Sequence, residues 1–289
     1  YNNDYGRDIG EWLSDRGYVN LGSMTVRDSM TFPEGLEVNI NGNLTVNGML
    51  VVNGTLNVSG NVTVNSGSVT VNGDMAVGGD YTHSSNTKYA TTTVINEGSK
   101  LTINGNLIQY YPYSSGSSYA SKIYVNGSLN VGGYYQGYSY PNVDIYMNND
   151  NSYMEVNGNF TYGSSDKSAN FTKGKIKVGG SYYNSSYLSG TVVNIVNNKE
   201  ISITSPNLSI SGITNQNNIT LKYNDNKYVV DLENQSINCA SISINNNCDF
   251  NVLKSTLTGN LTIGNQSTVN INGDMTVEGY AQLSAGIVN

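Results

Sequence analysis

The sequence predicts an all-β chain, folded as a single right-handed parallel β-helix (a β-solenoid) with side loops and a short N-terminal cap. Three observations predict it. Residues 40–64 read INGNLTV-NGMLVV-NGTLNV-SGNVTV, with glycines six apart at Gly42, Gly48, Gly54 and Gly60. Between them apolar residues alternate with polar ones: Ile40, Leu44, Val46, Leu50, Val52, Leu56, Val58, Val62 and Val64. The same corner then returns at Ile103-Asn104-Gly105, Val125-Asn126-Gly127, Val156-Asn157-Gly158 and Val178-Gly179-Gly180.

Each hexad reads as one short strand and one corner. Period-two alternation gives a strand a single buried face. Gly tolerates the positive φ that a tight corner often needs, and Asn is the next most tolerant. Six residues bury too little to fold alone, so the units must coil and stack about 4.8 Å apart, each hydrogen-bonded to the next. Asn41, Asn47 and Asn53 recur at corners, where stacked amides form ladders. Six-residue sides fit a three-sided coil.

The chain divides into a cap over 1–35 and a solenoid over 36–289, with Tyr-rich loop insertions at about 81–190. Within the cap, Ile9, Trp12 and Leu13 share one face of a short helix expected between Arg7 and Arg16. The expected loops cover 82–92, 110–120, 136–142, 163–172 and 184–190. Asn224-Asp225-Asn226 reads as a hairpin turn between Leu221-Lys222-Tyr223 and Tyr228-Val229-Val230.

Composition excludes several function classes. Charged residues are 12% of the 289, and the net charge is −7. Neutralising phosphates needs clustered Lys and Arg, so nucleic acid is not an expected partner. No apolar stretch approaches the length of a membrane span, so direct membrane insertion is not expected either. Low charge with abundant Asn, Ser, Thr, Tyr and Gly points to a secreted or cell-surface chain. The first residue, Tyr1, fits a processed protein or an excised domain.

The chain has 23 tyrosines, and 17 of them lie between Tyr81 and Tyr187. Tyr81, Tyr135, Phe160 and Tyr182 fall two residues after a corner glycine, an inward position, and are expected to stack inside. Ten others are candidate ligand-binding residues: Tyr110, Tyr111, Tyr113, Tyr119, Tyr124, Tyr138, Tyr140, Tyr146, Tyr183 and Tyr187. Exposed aromatic residues on loops mark binding sites, and flat rings stack on the C–H faces of sugars. The alternative is that these loops fold back and cover the barrel. Cys239 and Cys248 fall on the inward side of the alternation, either as a disulfide or as two small buried hydrophobes.

No enzyme, cofactor or metal is expected. Polysaccharide cleavage by solenoids needs paired carboxylates, or calcium with a basic residue. Here Glu34, Glu37, Asp144, Asp150, Glu155 and Asp166 are scattered. The single histidine, His83, reads as a solvated loop residue.

The rhythm Val71-Asn72-Gly73-Asp74-Met75-Ala76-Val77 resembles that of the bactofilins, cytoskeletal solenoids. The looped, Tyr-rich 81–190 region looks more like the C-terminal β-helix of the tāpirins, secreted surface proteins of cellulose-degrading bacteria. The tāpirin resemblance implies a non-catalytic extracellular adhesin for insoluble polysaccharide, with plant-type cellulose first among candidates. The bactofilin resemblance implies a self-assembling structural subunit with head-to-tail self-association. A polysaccharide lyase or hydrolase ranks third.

Overall fold

The computed structural model describes residues 17–84, 90–110, 121–137, 143–162, 175–178, 182–184, 194–197, 201–204, 207–210, 214–215, 218–222, 228–233, 236–237, 241–244, 248–257, 259–284 and 287–289. Every regular element among them is a strand. Strands pair in parallel, in one 21-stranded and two 6-stranded sheets, with register shifts between Gly22 and Met24 and between Leu253 and Ser255. This pattern is compatible with a β-solenoid.

Successive tiers of chain present three faces. The strand Glu37–Val46 covers two of them. Its first half pairs with Thr55–Val58 and its second with Val62–Val64. The first face continues through Asp74–Val77, Lys100–Ile103, Ser128–Val131 and Tyr153–Val156. The second continues through Tyr81–Ser84, Leu107–Tyr110, Tyr135–Gly137 and Phe160–Tyr162. The third stacks Ser29–Phe32, Met49–Val52, Gly67–Val71, Thr91–Ile95, Ser121–Val125 and Val143–Tyr146.

Alternation accounts for the core. Leu44, Val46, Leu50, Val52, Leu56, Val62 and Val64 are fully buried, as the hexads predict. Thr45 and Thr63 lie between inward neighbours and share an outward column with Thr25 and Thr82. Tyr81, Tyr135 and Phe160 are buried, as expected, and Tyr162 joins them. Tyr182 lies in a strand, but its side chain is outside the described residues.

Two kinds of ladder hold the corners. Asn72 Nδ2 donates to Asn53 Oδ1 at 2.7 Å, Asn96 donates to Asn72, and Asn65 donates to Asn47 at 3.2 Å. The second kind links side chain to backbone. Asn43 Oδ1 accepts from the Asn61 amide, Asn61 Oδ1 from Asp80, Asp80 Oδ1 from Asn106, and Asn106 Oδ1 from Tyr134, at 2.7–3.0 Å. At Gly67, φ is +95° and a Cβ would lie 2.0 Å from the Gly48 carbonyl oxygen, so this corner admits only glycine.

Some expectations change. Strand begins at Tyr18, inside the segment expected as a cap, and Tyr18–Val26 pairs with Glu37–Val46. The helix expected near Trp12 lies outside the described residues. The strands that flank Asn224–Asn226 do not pair with each other as a hairpin would require. Asn218–Lys222 and Tyr228–Glu233 belong to different sheets and pair with other strands. The residues between those strands, Asn224 to Asn226 included, lie outside the described residues.

Leu56→Asp places an unpaired charge in this core and is expected to cost several kcal/mol in denaturant unfolding. Thr63→Asp, on the outward column, should cost about 1 kcal/mol or less.

Candidate functional site

Register brings the strand ends that flank the tyrosine-bearing segments to one corner. On the second face Ser84 lies beside Tyr110, and Gln109 beside Gly137. On the third, Thr91 lies beside Ser121 and Ser121 beside Val143. The segments 85–89, 111–120 and 138–142 therefore leave neighbouring strand ends and return to neighbouring strand starts. They carry Tyr89, Tyr111, Tyr113, Tyr119, Tyr138 and Tyr140, which themselves lie outside the described residues.

Three candidate tyrosines have described side chains. Tyr110 ends its strand at this corner and is 42% exposed. Tyr124 and Tyr146 are register neighbours on the outer side of the third face, both half-buried. Their rings stack at 4.7 Å with an interplanar angle of 10°. Each therefore spends one ring face on the other. Tyr183 lies in the strand Tyr182–Asn184 with its side chain outside the described residues, and Tyr187 falls wholly outside them. Cys239 is also outside, and Cys248 is described only as the first residue of the strand Cys248–Leu257.

Polar partners surround the stack. Lys122 and Asp144 are register neighbours in the adjoining outward column. Asp144 is nevertheless buried, and its Oδ2 accepts from the Tyr146 hydroxyl at 3.3 Å. The Lys122 ammonium sits 5.8 Å from the Tyr146 ring centroid. Burial pulls its pKa down, but Tyr146, Tyr124 and Asp144 outweigh this and hold it above the usual lysine value. One further exposed aromatic, Tyr134 at 42%, stands where earlier tiers place corner residues Asn43, Asn61, Asp80 and Asn106. Its placement follows from the column, a signal that the hexad count alone does not carry.

Inside the same corner lies a polar cluster that corrects the reading of His83. The residue is fully buried, not solvated. It occupies the inward column of Val46 and Val64, two residues after Tyr81. Its Nδ1 meets Thr91 Oγ1 at 3.1 Å and Ser121 Oγ at 3.0 Å, and its Nε2 meets Thr93 Oγ1 at 2.7 Å. Thr93 also bonds the Tyr81 hydroxyl at 2.8 Å. In the next tier Gln109 donates to Ser121 Oγ at 3.1 Å and accepts from the Tyr135 hydroxyl at 2.8 Å. Gly137 makes this reach possible, since a Cβ there would lie 2.4 Å from that hydroxyl oxygen.

Among the described acids, Glu155 accepts from the Tyr153 hydroxyl at 2.8 Å. Burial first, and then Glu155, push that phenol up to about 12. No group of three His, Cys, Asp or Glu converges among the described residues. No helix among them is long and apolar enough to cross a membrane. No protein family, characterised protein or solved structure matches this chain.

Burial holds the His83 imidazole down at about 3, against 6.5 when free. The unfolded chain takes up a proton well before the folded one. The stabilisation tied to neutral His83 is thus full above pH 6.5 and is lost as pH falls from there towards 3. The loss is at most about 1.4 kcal/mol per pH unit. Chemical unfolding across that window should show a steeper acid loss for the wild type than for His83→Gln. Equal slopes would refute this assignment.

Proposed function

We propose that the chain is a single right-handed β-solenoid acting as a non-catalytic extracellular adhesin for insoluble polysaccharide, with cellulose first among ligands. One observation carries this reading: the register that brings together the strand ends flanking the tyrosine-bearing segments 85–89, 111–120 and 138–142, beside the Tyr124–Tyr146 stack. Aromatic faces stack on sugar C–H faces, while Asn, Ser and Tyr side chains satisfy sugar hydroxyls. A stack held on paired strands is ordered before the ligand arrives, so binding loses little side-chain freedom. The low charge suits a neutral polymer. Affinity then comes from many shallow contacts, not one deep pocket. The likeness to tāpirins supports the same reading, and a secreted or cell-surface location goes with it.

A second reading, a self-assembling structural solenoid, is favoured by Leu283 and Val288. These occupy inward register positions beside Ile263 and Val269 but are 41% and 54% exposed. A further tier, brought by this chain's own continuation or by a second copy, would cover them. A strict monomer in sedimentation at every concentration removes this reading.

The adhesin is tested by adsorption to microcrystalline cellulose, with xylan and chitin as comparators and an assay for released sugar. Wild type should adsorb without releasing sugar. Joint replacement of Tyr110, Tyr111, Tyr113, Tyr138 and Tyr140 by Ala should abolish adsorption and leave the Tm nearly unchanged. Each single replacement should cost about 1 kcal/mol. A fall in Tm together with binding would mean that these tyrosines cover the barrel. Protein left unbound in every tube would sink the adhesin, and released oligosaccharide would make the chain a lyase or hydrolase.

A further inference from the structure

The inner corner between the second and third faces holds the parts of an acyl-transfer site. Ser121 Oγ is a nucleophile with a base, His83 Nδ1, at 3.0 Å. The Gln109 carboxamide lies against the same hydroxyl, its Nε2 at 3.1 Å. The Tyr135 hydroxyl donates to Gln109 Oε1 at 2.8 Å, where negative charge would develop during attack on the amide carbon. All four residues are fully buried. Packing alone does not demand His83 and Gln109, because Val46 and Val64 fill their column in earlier tiers.

We propose that Ser121 and Gln109 react with each other to form an intramolecular ester. In the tautomer protonated at Nε2, His83 donates to Thr93, and the unprotonated Nδ1, which meets Ser121 Oγ and Thr91 Oγ1, accepts the Ser121 proton. The Gln109 amide turns about its Cγ–Cδ bond to present its face to Oγ. Ser121 Oγ attacks Cδ, its proton passes to His83 Nδ1, and Tyr135 holds the charge on Oε1. The intermediate collapses with cleavage of the Cδ–Nε2 bond. The imidazolium returns its proton to the departing nitrogen, which leaves as ammonia. One O–H and one C–N bond break, one C–O and one N–H bond form, and nothing is oxidised or reduced.

The surroundings favour this step. Burial keeps His83 neutral, and so able to accept a proton, at any pH well above 3, and makes its protonated form a ready donor to the leaving group. Partners held in contact react as though highly concentrated. A site closed to water does not hydrolyse the ester, while ammonia that escapes is protonated and diluted. The bond joins the strand Leu107–Tyr110 to Ser121–Val125 and closes the chain from 109 to 121 into a ring. The tyrosine-bearing segment 111–120 would then be anchored covalently at both ends, whatever ligand it meets.

The test is the mass of the folded, full-length chain. The expected result is a mass lower by one ammonia than the sequence gives. Tandem mass spectrometry should then find a peptide containing Gln109 joined to one containing Ser121, separable by hydroxylamine. Ser121→Ala and Gln109→Leu should each restore the full mass, and Ser121→Thr should keep the loss. His83→Gln should leave most of the chain unlinked. Recovery of Gln109 and Ser121 in separate, unmodified peptides from wild type would overturn the proposal. The same holds if the ammonia loss maps to an Asn-Gly pair instead.

Discussion

The parallel, in-register backbone pairing between tiers is the constraint on which everything else depends. Each strand satisfies its amides and carbonyls with the tier before and the tier after, so a residue is tied to a column as well as to a place in the chain. Inward columns must fill the interior, outward columns meet solvent, and corner columns must turn. Gly48 and Gly67 illustrate the last case, since the carbonyl of one occupies the space where a side chain on the other would project.

Column identity also determines where the chain can lengthen. Extra residues inside a strand would shift register and turn the buried side outward. At a corner they disturb only the connection. The spans between paired first-face strands grow from 18 residues, between Val38 and Leu56, to 28, between Leu101 and Leu129. The register within these first-face pairs nevertheless stays intact. Segments rich in tyrosine enter at the edge between the second and third faces, and the polar cluster lies just inside that edge. The interior there can carry His83, Gln109 and Ser121 because each polar atom finds a partner in the same or the next tier.

Much of the fold was legible because hexads such as those ending in Val46, Val52 and Val58 state both the strand and its buried face. The ladders of Asn47 and Asn53 were legible for the same reason. His83 was not, because Tyr-Thr-His-Ser-Ser has the composition of a loop. The alternation that places Tyr81 inward also places His83 inward, and that was the available signal. Asn224-Asp225-Asn226 misled because turn residues between two short strands do not say whether those strands pair with each other or with other parts of the chain. The partnership of Lys122 with Asp144, and of Tyr124 with Tyr146, depends on which tier lies above which. Unequal insertions hide that spacing from any count along the chain.

The corner ladder from Asn43 through Asn61, Asp80 and Asn106 runs in one direction only. Each side chain accepts from the amide of the following tier, and Tyr134, whose amide donates the last of these bonds, has no side-chain carbonyl to continue the row. Its ring stands in solvent instead. The position is thus a point of exchange between cohesion and display. An asparagine there would continue the row and remove an aromatic surface, whereas the tyrosine gives up continuity to keep it. A lineage under selection for robustness alone would drift towards the amide, and one selected for what the surface touches would keep the ring.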